Sequence, residues 1–446
     1  MTDQKRSNVA SLPGASPAAV RVEEQFTDAK PLYSSGEALA EALRCLYCYD
    51  APCIGACPTG IDIPTFIKKI ATGNLRGSAK TILDANLLGY SCGAVCPVEV
   101  LCAGACVYNH RDAPPIQIGR LQRYATAHVL DQGVAVYRPK PKIGRRVALV
   151  GAGPASLSCA GVLALEGVEA ILYEQRPLAG GLNTTGVAPY KLKMSESLRE
   201  VDFIRSLGVQ IRTGVTVGRD VSHADLLRDY DAVFVGVGLG ADTPLGIPGE
   251  RGEGLWGATE WIERMKTDAR FALGQIPSAA VVGGGNTALD VAQELALLGV
   301  GQVALVYRRS RGEMSGYDHE LAHALELGVQ LRDNAIPIAV LRNGAEQVTG
   351  LRLARAVAGR PSSDLMSDLM CDLVVVAIGQ SRLGELVAGF GSVTLDGGRI
   401  VVDAATGRTG NSKVYAGGDC ANGGKEVVNA VQEGKLAARA IIRSWQ

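Results

Sequence analysis

Cysteine is the residue type that first suggests chemistry in this sequence. Eleven cysteines occur among 446 residues, and eight of them lie between positions 45 and 106. Closely spaced cysteines on turns supply thiolates to a metal ion or an iron–sulfur cluster. The eight are Cys45, Cys48, Cys53, Cys57, Cys92, Cys96, Cys102 and Cys106. Iron–sulfur clusters and structural zinc both fit this number, so the spacing alone leaves the two open.

A glycine-rich turn at residues 151–156, GAGPAS, predicts a first dinucleotide site. It follows the apolar strand RVALV and opens a helix. Gly151 permits a tight turn, and Gly153 lets the backbone approach a pyrophosphate at the helix N-terminus. Ser156 stands where a third glycine is more common. Glu174 ends the next predicted strand and is placed to bind a ribose hydroxyl.

A second turn of the same kind occurs in VVGGGNTALD, which has the G-x-G-x-x-A register up to Ala288. The following strand ends in Arg308 and Arg309 where a carboxylate would suit a ribose 2′-hydroxyl. Arginine suits a 2′-phosphate, so these residues favour NADPH, unless they are only a solvated strand end. The residues of this turn expected to bind nucleotide are Gly283, Gly285, Asn286 and Thr287.

The elements that position these residues predict an α/β fold. An N-terminal α-helical domain precedes two Rossmann-like domains, and the second Rossmann-like domain is inserted in the first. Zinc would account for the cysteine count but gives no reason for two redox nucleotide domains downstream, so iron–sulfur clusters are favoured. The predicted boundaries are an arm at 1–35, the cluster domain at 36–139, an FAD-binding domain at 140–255 and 379–446, and an NAD(P)H-binding domain at 256–378.

Composition excludes several classes of protein. The formal net charge is zero and 20% of residues are charged, so no basic surplus indicates nucleic acid or an anionic membrane. The start, MTDQKRSNVA, has no apolar core and no run of 18 apolar residues occurs, so we expect a cytoplasmic protein without a signal peptide. Neither nucleotide domain contains Cys-x-x-Cys, which argues against a thioredoxin reductase.

The segments CLYCYDAPCIGACPTGIDIPTFI and LGYSCGAVCPVEVLCAGACVY resemble the N-terminal domain of the dihydropyrimidine dehydrogenase family. The resemblance is strongest to the small, electron-input subunit of its two-subunit bacterial form, and it implies two [4Fe–4S] clusters. The implied ligands of one are Cys45, Cys48, Cys53 and Cys106. Those of the other are Cys57, Cys96, Cys102 and the amide oxygen of Gln122. Cys92 matches a family cysteine that is not a ligand.

VYAGGDC at 414–420 resembles the second flavin fingerprint of flavoproteins with two dinucleotide domains, which implies FAD. Asp419 would hold the ribityl chain, and the next helix would aim its positive N-terminal end at the flavin. The implied FAD contacts are Gly151, Gly153, Pro154, Ala155, Ser156, Glu174, Gly181, Leu182, Lys191, Gly418, Asp419 and Val427.

The resemblance implies that NADH or NADPH reduces FAD and that the clusters pass electrons to a partner. No catalytic side chain is expected, because hydride moves between cofactors. The larger relatives carry a pyrimidine-reducing FMN barrel on the same polypeptide. Since the sequence given ends at 446, we expect a hetero-oligomer in which a separate FMN and iron–sulfur subunit reduces uracil or thymine.

Three alternatives stay open. The small subunit of glutamate synthase is similar over the whole length, but that family has Glu at the position of Gln122. The electrons could instead pass to another acceptor, such as a ferredoxin. The chain could also be a non-catalytic assembly subunit stabilised by zinc. The nucleotide is open as well, because the closest bacterial members of the dehydrogenase family are NADH-linked.

Overall fold

A computed structural model describes residues 21–111, 113–357 and 360–446 of the chain. The predicted arm over residues 1–35 therefore lies largely outside the described residues, as does the stretch considered for a signal peptide. Of its described part, Val22–Gln25 form a 3-10 turn. Phe26 packs against Tyr190, so this segment contacts the nucleotide-binding part of the chain.

The N-terminal third is helical. Its helices are α1 (Ser35–Arg44), α2 (Pro52–Gly55), α3 (Ile63–Ala71), α4 (Leu75–Ala85), α5 (Gly89–Val95) and α6 (Ile118–Gln132). Ser34 and Glu37 form a capping box that starts α1. Helix α1 ends at Arg44, because Cys45 takes an extended backbone conformation. The cysteine-bearing turns thus begin where this helix stops.

The first nucleotide-binding unit begins after a linker. Its elements are β1 (Arg146–Val150), α7 (Pro154–Leu165), β2 (Glu169–Glu174), α8 (Leu182–Thr185), α9 (Met194–Ser206), β3 (Gln210–Thr213), α10 (His223–Asp229) and β4 (Ala232–Val235). The four strands are parallel and almost wholly apolar in β1 and β4, as expected for a sheet covered on both faces.

The second unit follows directly. Its elements are β5 (Leu255–Gly257), α11 (Ala258–Thr267), β6 (Ser278–Val282), α12 (Asn286–Leu297), β7 (Gln302–Val306), α13 (Asp318–Glu326), β8 (Gln330–Arg332), β9 (Ala335–Arg342), β10 (Val348–Val357), β11 (Arg360–Met370) and β12 (Leu373–Val376). Its parallel sheet has the order β5-β12-β6-β7-β8. Strands β9–β11 form a separate antiparallel sheet, which the sequence analysis did not predict.

The chain then returns to the first sheet. The remaining elements are α14 (Gly384–Ala388), β13 (Leu395–Asp396), β14 (Arg399–Ile400), β15 (Val414–Ala416), α15 (Asp419–Asn422) and α16 (Val427–Arg443). The order of the first sheet is β15-β4-β1-β2-β3, so its edge strand comes from the end of the chain. This confirms the predicted fold class, with the second Rossmann-like unit inserted in the first; the boundary residues stay a prediction.

Candidate functional site

The first group of cysteines lines one pocket in the helical domain. Cys45 directly follows α1, Cys53 lies in α2, and Cys106 precedes a short 3-10 turn. The cysteines of this pocket are Cys45, Cys48, Cys53 and Cys106, and the other lining side chains are mostly apolar. Burial, followed by the neighbouring cysteines, raises the pKa of the Cys53 thiol to about 11. Without a bound cation, thiols of this kind stay protonated at neutral pH.

A second group of cysteines lies beside the first. Cys96 follows α5, and its pKa is raised by a hydrogen bond with Cys92, by burial and by the proximity of Cys102 and Cys57. Burial and the proximity of Cys57 and Cys53 together raise the pKa of Cys102 to about 12. Cys57, Cys96 and Cys102 are thus brought together as the resemblance implied, with Cys92 next to Cys96.

Gln122 is buried in α6, at 6% exposure. Its side-chain Nε2 donates to the carbonyl oxygen of Gly89, the first residue of α5, at 2.6 Å. Since the donor end of the amide is engaged by the helix that precedes Cys96, the carbonyl oxygen is the end left to act as a ligand. The environment is therefore compatible with the role that the resemblance implied for this amide oxygen.

The turn at 151–156 has the backbone that a pyrophosphate site needs. Gly151 has φ of +87°, and a Cβ there would lie 2.7 Å from the carbonyl oxygen of Gly236. Gly153 precedes α7, whose first turn has no side-chain cap, so its N–H groups are available to an anion. A Cβ on Gly153 would meet nothing closer than 3.9 Å, which leaves open space at this point.

Two buried polar atoms near this turn lack partners among the described residues: Ser156 Oγ and Asn183 Oδ1. Asn183 lies in α8, directly after Gly181 and Leu182. The backbones of Gly153 and Gly181 approach so closely that a Cβ on Gly181 would lie 2.7 Å from the Gly153 Cα. The segment after β2 therefore covers the glycine turn, and each orphaned atom is free to bind a polar ligand.

Glu174 ends β2 and is 7% exposed. Its carboxylate accepts hydrogen bonds from the backbone N–H groups of Ala152 and Arg176, each at 2.8 Å. These two bonds hold the carboxylate beside the glycine turn, where a ribose hydroxyl would be a further donor. A cavity of about 670 Å³ lies next to it and is lined in part by Arg176.

The second flavin fingerprint lies against the first turn. Gly418 precedes α15 with φ of +77°, and its N–H donates to Glu433 Oε2 at 2.6 Å. Burial raises the pKa of Asp419, whose carboxylate is the one predicted to hold the ribityl chain. Helix α16 begins at Val427 without a side-chain cap and packs on α7. A Cβ at Gly434 would lie 2.0 Å from the carbonyl oxygen of Ala155.

Lys191 lies at the junction of the two nucleotide units. Its Nζ pairs with Asp290 of α12 at 2.7 Å and with Glu320 of α13 at 2.5 Å, and these carboxylates help to raise the pKa of Lys191 against the opposing effect of its burial. Lys266 of α11 is fully buried and donates to three backbone carbonyls of the first unit, between the start of α8 and the start of α9. The acceptors are Asn183, Val187 and Leu192. The structure thus pairs Lys191 with two carboxylates of the second unit. Its contact with FAD stays a prediction.

The second glycine turn repeats the features of the first. Gly283 has φ of +151°, and a Cβ there would meet the carbonyl oxygen of Ala377 at 2.4 Å. Gly285 precedes α12, which also has no side-chain cap. Asn286 Oδ1 accepts a hydrogen bond from the Tyr317 N–H at 3.0 Å, and Thr287 is exposed in the first turn of the helix. The backbone N–H groups at the start of α12 are thus open to a phosphate.

Arg308 and Arg309 follow β7 and are both exposed. Within the described ranges, neither guanidinium forms a salt bridge with a carboxylate of the chain. The corresponding strand end of the first unit carries Glu174, so the two turns differ in the sign of charge presented to a ribose.

Across the described residues no three or more His, Cys, Asp or Glu side chains converge as for a single metal ion. No described helix is long and apolar enough to cross a membrane.

Three functional candidates were missed by sequence reasoning. They are Tyr317, which contacts the helix after the flavin fingerprint, Lys435, which contacts the cysteine domain, and Lys266. The sequence around a lysine does not show whether its side chain is buried, and each of these contacts joins residues more than 70 positions apart. For Tyr317, its position soon after the strand that follows a glycine turn is the one available signal.

Family models match both halves of the chain. Residues 21–134 match the model described as dihydropyrimidine dehydrogenase domain II, 4Fe-4S cluster, and residues 145–434 match pyridine nucleotide-disulphide oxidoreductase. Among solved structures, the thioredoxin reductase of T. acidophilum aligns with a TM-score of 0.56 at 21% identity, over 68% of this chain and 100% of that one. At this identity the likeness shows the fold alone.

Two relatives from Escherichia coli (strain K12) match almost the whole chain. The NAD-dependent dihydropyrimidine dehydrogenase subunit PreT is 36% identical over 414 residues, or 92% of this chain and 95% of the relative. The glutamate synthase [NADPH] small chain is 32% identical over 448 residues, or 94% of each. The chain belongs to the family of iron–sulfur flavoproteins that includes these two subunits. It is an NAD(P)H-dependent flavin oxidoreductase with a 4Fe-4S cluster domain and an FAD-binding unit.

Proposed function

We propose that this chain is the electron-input subunit of a dihydropyrimidine dehydrogenase. It would oxidise NAD(P)H at FAD and deliver electrons through two [4Fe–4S] clusters to a partner subunit with FMN, which reduces uracil or thymine to the 5,6-dihydro forms. The observation that carries the proposal is Gln122, which is buried in α6 and bonded to Gly89 at the start of the helix that precedes Cys96. The dehydrogenase family has glutamine at this position, whereas glutamate synthase has glutamate. The 36% identity to the PreT subunit also favours the dehydrogenase function.

Two neighbouring sets of ligands support the number of clusters. Cys45, Cys48, Cys53 and Cys106 share one pocket, whereas Cys57, Cys96 and Cys102 lie near one another as the other set. Gln122 would add an amide oxygen to this second set. Cys53 is one of the groups that raise the pKa of the Cys102 thiol, so the two sets lie near one another. An electron could therefore pass from one set to the other without crossing solvent.

The chain's own residues would bind and orient the cofactors. The uncapped N-termini of α7 and α12 would each bind a pyrophosphate, and Glu174 would accept a ribose hydroxyl. Asp419 would hold the ribityl chain. When bound, FAD supplies the conversion from two-electron hydride chemistry to the one-electron chemistry of the clusters. No side chain needs to exchange a proton with the nicotinamide.

The nearest competing function is the small chain of glutamate synthase. It is favoured by the match over 94% of both chains and by the exposed pair Arg308 and Arg309, which suit NADPH. The two functions share the entire electron-input pathway and differ in the partner. They are therefore separated by the partner that the chain binds and by the substrate that partner reduces.

The test is anaerobic purification from the native host, followed by identification of the subunit that accompanies the chain. We expect bound FAD, iron and sulfide, and NAD(P)H oxidation that requires both the partner and uracil or thymine. Oxidation that depends on glutamine and 2-oxoglutarate would identify glutamate synthase instead. A colourless complex without iron would contradict both functions.

A variant tests the assignment of Gln122. Gln122→Leu should lose roughly half of the iron and sulfide, because one of two clusters loses a ligand. Gln132→Leu changes an exposed glutamine at the end of the same helix and should retain all of it. Full iron content in both variants would remove Gln122 from the ligand set.

A further inference from the structure

Lys435 is a buried lysine in α16, at 6% exposure. Its Nζ donates to the carbonyl oxygens of Thr59 at 3.0 Å and Ala85 at 2.6 Å, both in the helical domain. Within the described part of the chain, no carboxylate lies within salt-bridge distance of it. A buried ammonium group without a counter-charge is costly, so something else must stabilise it.

The contact with Thr59 brings this lysine close to Cys57. Thr59 follows Cys57 by two residues, and the Cys57 Sγ lies 3.3 Å from the Thr59 Oγ1. Burial and the neighbouring Arg439 lower the pKa of Lys435 to about 8, whereas the proximity of Cys57 acts in the opposite direction. The ammonium group is thus held against the loop that carries a proposed cluster ligand.

Helix α16 also links this loop to the flavin fingerprint. It follows Asp419 after a short connection and packs on α7, with Gly434 in direct contact with the glycine turn. Lys435 is the next residue, on a neighbouring face of the same helix. Helix α16 therefore fixes the ammonium group of Lys435 relative to both predicted redox sites, the flavin and the cluster at Cys57.

We propose that Lys435 raises the reduction potential of the cluster that Cys57 helps to hold. An iron–sulfur cluster gains one negative charge when it is reduced, and a nearby positive charge stabilises the reduced form, more strongly in a buried site than in water. Lys435 would thereby make this cluster the better acceptor of electrons leaving the flavin. This inference rests on the proposed function, because it requires a cluster at Cys57.

The test is a redox titration of the complete protein, loaded with its cofactors and followed by electron paramagnetic resonance. In Lys435→Gln, one of the two cluster midpoints should become more negative, with the reduction equilibrium at least tenfold less favourable, or about 59 mV for one electron. Lys435→Arg keeps the charge and should leave that midpoint close to the wild-type value. Lys413→Gln is the matched control, since Lys413 also donates to two backbone carbonyls, Leu227 and Tyr230, but lies in the first nucleotide unit.

Unchanged midpoints in Lys435→Gln, with both cluster signals present, would overturn the inference. Lys435→Met, which keeps most of the buried stem, is the second neutral variant. The inference is also wrong if both neutral variants fail to fold without cofactors while Lys435→Arg folds. The charge would then stabilise the fold of the apoprotein. Absence of any cluster signal in the wild-type protein would instead contradict the proposed function.

Discussion

The hydroxyl of Tyr317 donates a hydrogen bond to the carboxylate of Glu426 at 2.7 Å. Glu426 immediately precedes α16, and the Tyr317 N–H is bound to Asn286 at the start of α12. Burial, followed by the hydrogen bond with Glu426, raises the pKa of Tyr317 to about 12, so the hydroxyl keeps its proton at neutral pH. The backbone and the side chain of one residue, Tyr317, thus connect the starts of the two helices that follow the predicted nucleotide and flavin sites.

Tyr317→Phe should weaken NAD(P)H binding roughly three- to tenfold, because a hydrogen bond worth about 0.5–1.5 kcal/mol orders this junction. Stopped-flow reduction of the flavin at varied nucleotide concentration measures the effect. Tyr137→Phe removes a similar bond, from Tyr137 to Asp84 in the helical domain, and should change nothing. Equal behaviour of the two variants would show that the Tyr317 bond has no part in nucleotide binding.

Removing the charges at Arg308 and Arg309 should alter nucleotide preference. Arg308→Ala and Arg309→Ala should raise the KM for NADPH ~tenfold and leave the KM for NADH nearly unchanged, since only NADPH has the 2′-phosphate that arginine binds. Steady-state oxidation of both nucleotides with an artificial acceptor provides the measurement. Arg311→Ala, at an exposed arginine nearby, is the control. A parallel loss for NADH and NADPH would mean that these arginines do not read the 2′-position.

Gly434→Ala should reduce both stability and flavin content. The new Cβ would lie 2.0 Å from the Ala155 carbonyl oxygen, so α16 must move away from the glycine turn. Overpacking of this kind costs about 1–3 kcal/mol or more. The thermal midpoint and the ratio of flavin to protein absorbance check the prediction. Gly274→Ala, where a Cβ meets nothing within 4 Å, should behave like the wild type; full flavin content in Gly434→Ala would show that the helices can separate without harm.

Glu200 should make stability depend on pH. This buried residue of α9 accepts hydrogen bonds from the N–H groups of Tyr90 and Ser91 at the start of α5, yet burial raises its pKa from 4.5 to about 7. Between these values the unfolded chain loses a proton that the folded chain keeps, so stability falls as pH rises. The contribution lost between pH 4.5 and 7 is up to about 3 kcal/mol.

Thermal unfolding of wild type and Glu200→Gln across this pH range measures the difference. The glutamine variant should lack this part of the pH dependence, so its stability relative to the wild type should increase from pH 4.5 to 7. Asp202→Asn, at an exposed position on the same helix, should follow the wild-type profile. Parallel profiles for wild type and Glu200→Gln would contradict the assigned pKa.

The parts of the molecule that depend on local spacing were predictable. The glycine turns before α7 and α12 follow from the backbone freedom that residues such as Gly151 need, and the strand, turn and helix around them are contiguous in sequence. The antiparallel sheet β9–β11 was missed, although the alternation of buried Leu351 and Leu353 with exposed Arg352 in β10 is a strand signal.

The contacts that join the domains could not be predicted. Lys435 and Thr59 are 376 residues apart, and Glu200 and Tyr90 are separated by 110. Nothing in the local sequence of Lys435 or Glu200 distinguishes it from a solvated charge. The burial of each side chain depends on how two separately formed units pack. Charged residues at such junctions are where the structure adds most.

The return of the chain to its first sheet orders events during synthesis. Strand β15 fills the edge next to β4, and the residues that follow it include Asp419 and the helix that packs against the first glycine turn. A ribosome has therefore produced both the cysteine domain and the inserted unit before the flavin pocket can close. Cofactor loading at that pocket must therefore wait until β15 and α16 have emerged.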